Sequence, residues 1–236
     1  MWSNVISIDK QYEKEIGYIL DKLQNTKDLS YAIEESEDRI WMYLASVCEL
    51  QDVVEEEINK ILEVVFLSFI KLRFFLDRLT LNTLSHAKCA LLSSLVHFDR
   101  EFEKNIVMKV VSNSLDYNID GLMNFRLRAL KDSWEELAEV AQRLLDGSNS
   151  EQDIFDIASF ITGSDGKKSQ LMIKDGNLKN VTFHKSVEVV NLFEGEEYNL
   201  LDAIIKEKPS EIVIENCHFS SPMSATLKKI ARVIEK

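Results

Sequence analysis

Apolar and polar residues alternate at the start of the chain and then recur at helical spacing. The stretch NVISIDK alternates and predicts a first strand. The amphipathic stretch YEKEIGYILDKLQN predicts a helix after it. Two short apolar runs, LSYAIEES and RIWMYLASV, flank the polar pair Glu37-Asp38 and predict a hairpin. Residues 1–50 are therefore expected to form a small β-α-β-β unit.

Helical patterns fill the middle of the chain. Apolar residues recur about every 3.6 positions over roughly 51–80, 85–113 and 118–146. A shorter pattern covers 151–162, and Ser150 before it and Asp153 within it have the spacing of an N-cap and its N3 partner. The sequence therefore predicts a helical region over residues 51–162, with a bundle of three to four helices.

The pattern becomes mixed again after the polar segment GSDGKK at 163–168, which is the best linker candidate in the chain. Asp175-Gly176-Asn177 predicts a turn between two strands. A helix, a buried strand and a final helix follow, and the last helix has Ser221 as its expected N-cap and Pro222 in its first turn. Residues 169–236 are thus expected to form a β-β-α-β-α unit. The predicted fold is α+β, with a helical middle between two small mixed units.

The chain is strongly acidic, with a formal net charge of -12 over 236 residues. Such a surface repels phosphate backbones and anionic lipids, so we expect no nucleic-acid partner. The most membrane-like segment, residues 61–76, is interrupted by Glu63, Lys71 and Arg73. Its uncharged runs are far shorter than the roughly 20 residues that a span needs, so no membrane span is expected.

The cysteines indicate a reducing compartment. Cys48, Cys89 and Cys217 are odd in number, widely spaced and without a CxxC pair. The N-terminus, MWSNVISIDK, has neither a basic region nor a long apolar stretch, which argues against a signal peptide. We therefore expect a soluble cytoplasmic protein.

One charge cluster stands out from the helical count. Arg126 falls within the apolar stripe of the pattern at 118–146, and Asp99 and Glu103 fall within the stripe of the pattern at 85–113. A short connection joins these patterns, so an antiparallel hairpin would bring Arg126 close to Glu103. We expect Arg126 to be the counter-ion of Glu103, and Asp99 could share it. The alternative is that the three charges line a small-ligand or metal-dependent site, which could be enzymatic.

Three side chains on the same predicted helix could hold a metal. His86, Cys89 and His97 share one side of that helix, and Cys217-His218 could complete a mixed zinc site. The spacing matches no recognised zinc finger, and packed histidines and cysteines are common on half-buried helices. No phosphate-binding glycine pattern and no serine-nucleophile motif occurs. We therefore expect no cofactor and assign no catalytic residue, which leaves enzymatic activity open but favours a non-enzymatic protein.

The first long helical pattern is apolar nearly all round between Val64 and Phe75. A helix of this kind must be buried on most of its sides. It is either the central helix of the bundle or packs in part against another molecule. A protein partner or a homodimer is therefore a candidate assembly.

A family resemblance gives a further expectation. The stretch YNIDGLMNFRLRALKDSWEELAEVAQRLL resembles the YtxC-like sporulation protein family of endospore-forming bacteria, in which a helix carries a glycine, an apolar residue and then Phe-Arg-Leu. Here these positions are Gly121, Phe125, Arg126 and Leu127. The C-terminal stretch KPSEIVIENCHFSSPMSATLKKIARVIEK also resembles that family, although Asn216 stands where the family would have a histidine.

The resemblance covers roughly residues 117–236 and implies a role in sporulation. It implies no biochemical activity, because none is defined for the family, and no catalytic residue can be transferred. The expected function is that of a sporulation-associated cytoplasmic protein that acts through protein–protein contacts.

Overall fold

The computed structural model describes residues 1–163 and 169–236, and in these residues the fold is α+β, with N-terminal and C-terminal sheet units as predicted. Contacts divide the chain into two compact units. Unit 1 contains Met1–Phe74 and Asp99–Glu136, and unit 2 contains Phe75–Phe98 and Leu137–Lys236. The structure thus divides the helical residues between two units instead of gathering 51–162 into a separate region. Apart from Gly163, the predicted linker lies outside the described residues.

The helices and strands follow each other in mixed order along the chain. The strands are β1 Trp2–Asp9, β2 Ser30–Glu35, β3 Arg39–Ser46, β4 Tyr117–Asn118, β5 Ser169–Lys174, β6 Asn177–Asn180, β7 Lys185–Ser186, β8 Pro209–Glu215 and β9 Arg232–Glu235. The helices are α1 Glu13–Asn25, α2 Gln51–Val64, α3 Lys71–Arg78, α4 His86–His97, α5 Arg100–Ser112, α6 Ile119–Gly121, α7 Arg128–Asp146, α8 Glu151–Thr162, α9 Glu196–Glu207 and α10 Ser221–Ile230. Two π turns, Val65–Ile70 and Leu122–Arg126, join α2 to α3 and α6 to α7.

The sheet of unit 1 has the strand order β2-β3-β1-β4. The predicted hairpin is confirmed, because β2 and β3 pair antiparallel, and β3 also pairs antiparallel with β1. Opposite residues Ile6 and Met42, and Ile8 and Ile40, point to the buried face of the sheet. The sequence pattern did not predict β4, since this strand has only two residues and adds to β1 in parallel.

Helices α2 and α5 of unit 1 pack antiparallel. Asn59 on α2 donates to Ser112 at the end of α5, and Glu63, further along α2, pairs with Lys104, which lies closer to the start of α5. The helical run from Ile61 near the end of α2 through the π turn to Phe74 is nearly continuously buried. It is the central helix of this unit, which is one of the two outcomes expected from its apolar pattern.

The prediction of one continuous helix over 85–113 is wrong, because the chain forms two helices there, α4 and α5. Asp99 has a φ of 50°, in the left-handed region, and stands before the first residue of α5. Aspartate tolerates this conformation better than most non-glycine residues, because its short polar side chain can form local hydrogen bonds. Counting apolar residues at helical spacing does not detect such a break, so it assigns residues of two separate helices to one apolar face.

The helix predicted over 118–146 is also interrupted. The amide of Leu127 donates to the carbonyl oxygen of Leu122, five residues earlier, at 2.9 Å. This π turn adds one residue to the helical repeat. Leu127 consequently occupies the inward position that a straight helix would give to Arg126, and Arg126 is exposed.

Unit 2 contains a five-stranded sheet in the order β7-β6-β5-β8-β9, in which β8 lies parallel to both of its neighbours. The expected turn at 175–177 joins β5 to β6. The predicted final helix is too long, because α10 ends at Ile230 and the alternating residues Arg232–Glu235 form β9 instead. Its N-cap is Ser220 and not Ser221, since the Ser220 hydroxyl accepts from the amide of Met223.

Helix α4 is the most completely buried helix of unit 2 and packs against α8 and α9. The N-terminus of α8 carries the predicted cap: Ser150 and Asp153 form a complete capping box. These contacts bring α4, α8 and the end of α9 together around one groove, which is described below.

The π turn buries Leu127 and exposes Arg126, whereas a straight helix would bury Arg126, so mutation of these two residues tests it. Leu127→Ala should lower the free energy of unfolding by about 2–5 kcal/mol, since a buried leucine side chain is removed. Arg126→Ala should change it by less than about 1 kcal/mol, since the side chain is exposed. Urea titration of both variants makes the comparison. A straight helix would give the opposite order of stabilities.

Candidate functional site

The core of unit 1 contains a closed charge pair. Lys71, at the start of α3, places its Nζ 2.6 Å from Oε2 of Glu103 on α5. Their side chains are 0% and 6% exposed. The second oxygen of Glu103 accepts from Nε1 of Trp134 at 2.7 Å, and Lys71 Nζ lies 5.7 Å from the centroid of that indole ring. Both carboxylate oxygens are therefore engaged within the core.

A second buried pair lies beside the first π turn. Arg100 Nη2 contacts Oε1 of Glu63 at 3.3 Å, and its Nη1 donates at 3.1 Å to Ser68 Oγ and to the carbonyl oxygen of Leu67. Lys104 contacts the other oxygen of Glu63 at 3.1 Å. Leu67 and Ser68 belong to the π turn, so this segment supplies a backbone carbonyl and a side-chain hydroxyl as the acceptors that the buried guanidinium needs.

Burial decides the electrostatics of the Lys71–Glu103 pair. Loss of hydration lowers the pKa of Lys71 to about 8, and the adjacent Glu103 carboxylate opposes this shift. Lysines with lowered pKa values serve as bases and as Schiff-base nucleophiles in enzymes. Here the ammonium group has no exposed surface, so it can stabilise the fold but cannot reach a substrate in this conformation.

The expected pairing of Arg126 with Glu103 is wrong. Arg126 donates to Ser114 Oγ at 3.0 Å and to the carbonyl oxygen of Asn113 at 3.5 Å. Asp99 is exposed at the break between α4 and α5. The three side chains do not form one cluster, because the helical count ignored the left-handed residue and the π turn.

Sequence reasoning identified the buried carboxylate of Glu103 but missed its partners, Lys71 and Trp134. In the sequence pattern, Lys71 is only an interruption of a membrane-like segment. Lys71 has apolar residues on both sides along a helix that is apolar nearly all round, and a cation at such a position is buried and needs a carboxylate. That signal would have indicated the correct partner for Glu103.

The three candidate metal ligands lie on α4 in unit 2 and have separate partners. His86 Nε2 contacts Glu197 at 3.2 Å, His97 Nε2 contacts Asp202 at 3.0 Å, and Cys89 Sγ lies 3.6 Å from a backbone carbonyl oxygen of α9. In residues 1–163 and 169–236, no three histidine, cysteine, aspartate or glutamate side chains are arranged to hold a metal ion. The structure therefore does not bring these residues together as one ligand set.

The His97–Asp202 contact joins α4 to α9 inside unit 2, with both side chains about 95% buried. Burial alone would raise the pKa of Asp202, but the adjacent His97 outweighs it and holds that pKa below its usual value. Burial, helped by the charge of Asp202, raises the pKa of the Cys89 thiol. A fully buried thiol of this kind is inert as a nucleophile, so the cluster has the properties of a structural contact.

A groove of about 310 Å³ in unit 2 lies where α8, α9 and α10 end. Lys208 and Lys229 lie at its edge, and the ammonium group of Lys229 is 4.2 Å from the centroid of the Phe155 ring. Cations at helix C-termini compensate the negative end of the helix dipole, which gives both lysines a structural role. The described lining contains no carboxylate and no imidazole.

Comparison of the chain with protein-family models, with curated proteins and with solved structures gives no match. These comparisons neither support nor contradict the resemblance to the YtxC-like family, which rests only on the residues quoted above. In the part of the chain that the structure describes, every helix is too short or too polar to cross a membrane.

The Lys71–Glu103 pair makes a specific stability prediction. Lys71→Met leaves the Glu103 carboxylate buried without its cation and should lower the free energy of unfolding by about 3–5 kcal/mol. The double variant Lys71→Met/Glu103→Leu removes both charges and should recover most of this loss, since an apolar replacement of a buried pair is often neutral. Urea titration measures all three proteins. A double variant no more stable than Lys71→Met would contradict a closed pair.

The lowered pKa of Lys71 also predicts a pH dependence. Between pH 8 and 10.5 the unfolded chain holds more protons at Lys71 than the folded protein does, so the stability of the folded state rises with pH in this range. Relative to the charge-free double variant, the free energy of unfolding of the wild type should increase from pH 8 to pH 10, by at most about 1.4 kcal/mol per pH unit. A difference that is constant over this range would show that Lys71 has an ordinary pKa.

Proposed function

We propose that this protein takes part in endospore formation as a non-enzymatic cytoplasmic component that acts through protein–protein contacts. The closure of the Lys71–Glu103 pair supports the non-enzymatic role most directly. Both carboxylate oxygens and the ammonium group are engaged in the core, and neither side chain can contact a ligand without opening of unit 1. A site for a small ligand on Asp99, Glu103 and Arg126 is not favoured, because these residues lie apart.

Exposed aromatic and aliphatic side chains support action through contacts with other proteins. Unit 1 exposes Phe102, Leu115 and Phe125, and unit 2 exposes Phe160 and Phe183. Aromatic residues are enriched at protein interfaces, where they provide large apolar contact areas. Phe125 belongs to the Phe-Arg-Leu segment that carries the family resemblance, and its neighbour Leu127 is in the core. The segment therefore contributes Leu127 to the core and Phe125 to the surface.

The resemblance to the sporulation family supports the process, and the acidic composition supports a partner other than nucleic acid. A homodimer is compatible with the same exposed side chains, and sedimentation analysis over a range of concentrations would distinguish it from a hetero-complex.

The role can be tested by counting heat-resistant spores in an endospore-forming host that lacks the gene. Deletion should lower the count, and complementation with the wild type should restore it. The charge-free variant Lys71→Met/Glu103→Leu should restore it equally, because the pair serves only the fold.

Circular dichroism and urea titration of the purified variant show whether it is folded. No effect of deletion would contradict the role in sporulation. A folded double variant that fails to restore the count would show instead that the buried pair takes part in chemistry.

A further inference from the structure

A basic segment interrupts the acidic chain at the second π turn. Residues 124–131, NFRLRALK, contain three cationic side chains and no carboxylate, although the whole chain has a net charge of -12. The three cations are Arg126, Arg128 and Lys131. Among the described residues, none of them forms an ion pair: Arg126 bonds to Ser114 and Lys131 bonds to Asn124.

Two of these hydrogen bonds connect the segment to its neighbours. The bond from Arg126 to Ser114 connects the π turn to the loop after α5, and the bond from Lys131 to Asn124 connects the first turn of α7 back to the π turn. Arg128 lies between them in the chain and is exposed. All of these residues belong to unit 1.

Two apolar side chains lie next to these cations. Leu115 follows Ser114 and is 98% exposed, and Phe125 precedes Arg126 and is 84% exposed. The π turn explains the exposure of Phe125, because the added residue turns Leu127 inwards. We call the set of Leu115, Phe125, Arg126, Arg128 and Lys131 the basic–apolar surface.

We propose that the basic–apolar surface binds an acidic peptide segment of another protein, with an apolar side chain of that segment packed against Phe125 and Leu115. This inference rests on the proposed function in protein–protein contacts and specifies the chemistry of the partner. Arginine binds carboxylates in a bidentate manner, and clusters of arginine with exposed aromatic residues are typical centres of binding energy.

The charges favour a peptide over a nucleic acid. A nucleic-acid strand carries its charge along its length and would meet the acidic remainder of the protein beyond three cations. A short acidic segment matches a surface of this extent. Its apolar residue also gives Phe125 and Leu115 a partner that phosphate groups would not provide.

A displayed library of random 16-residue peptides, selected against the folded full-length protein, tests the proposal without a known partner. The enriched peptides should carry a net negative charge and at least one large apolar residue. Synthetic copies, measured by fluorescence anisotropy, should bind the wild type and lose at least tenfold in affinity with Phe125→Ser and with Arg128→Glu. Binding should also weaken as the salt concentration rises.

Two matched variants serve as controls in unit 1. Phe102→Ser removes another exposed phenylalanine, and Lys27→Glu reverses another exposed cation. Both should leave the affinity within about twofold of the wild type, as surface changes outside the contact do. Circular dichroism should show that all four variants keep the wild-type fold, since the substituted side chains are exposed.

Several results would overturn the proposal. They are enrichment of neutral or basic peptides, equal binding to the Phe125→Ser variant, and preferential binding of a single-stranded oligonucleotide at this surface. Self-association of the wild type that Phe125→Ser abolishes would make a second copy the occupant and would likewise overturn it.

If the selection fails while the spore counts behave as described, the proposed function stands and uses a different surface. If deletion has no effect on sporulation, the peptide result still decides the chemistry of this surface.

Discussion

The ion pair between Lys71 and Glu103 is the contact on which unit 1 depends most. It joins α3 to α5, and the indole of Trp134 on α7 completes the hydrogen bonding of the carboxylate. A charge in this position is unfavourable without its partner, because neither group keeps contact with water. Separating α3 from α5 leaves a buried charge uncompensated, and separating α7 from them leaves one carboxylate oxygen of Glu103 without its hydrogen-bond donor.

The two π turns adapt the helices of unit 1 to these contacts. The first places Leu67 and Ser68 where Arg100 can donate to them, so that a second buried cation is satisfied next to the first. The second turns Leu127 into the core and leaves Phe125 and Arg126 outside. One local irregularity thus stabilises the interior and also creates the surface for which we propose a partner.

Residue patterns predicted most of the regular elements, because alternation and helical periodicity report burial directly. The β2–β3 hairpin and the capping box of Ser150 and Asp153 followed from local sequence alone. The breaks could not be predicted in this way. The left-handed residue Asp99 and the residue that the π turn adds before Leu127 both rotate the helix that follows, although neither changes the hydrophobic pattern of the sequence. A count that assumes a straight helix therefore places Arg126 in the core. Short strands such as β4 depend on pairing with distant residues and have no local pattern.

The most direct test of a closed, structural charge pair is the reactivity of Lys71 towards an amine-specific reagent, followed by mass spectrometry of the native protein. An accessible lysine with a pKa of about 8 would react faster than ordinary surface lysines, because more of it is unprotonated near neutral pH. A closed pair predicts that Lys71 is among the slowest lysines to react and becomes labelled only when the protein unfolds. Rapid labelling of Lys71 in the folded protein would contradict the structural role and would identify it as an open reactive site.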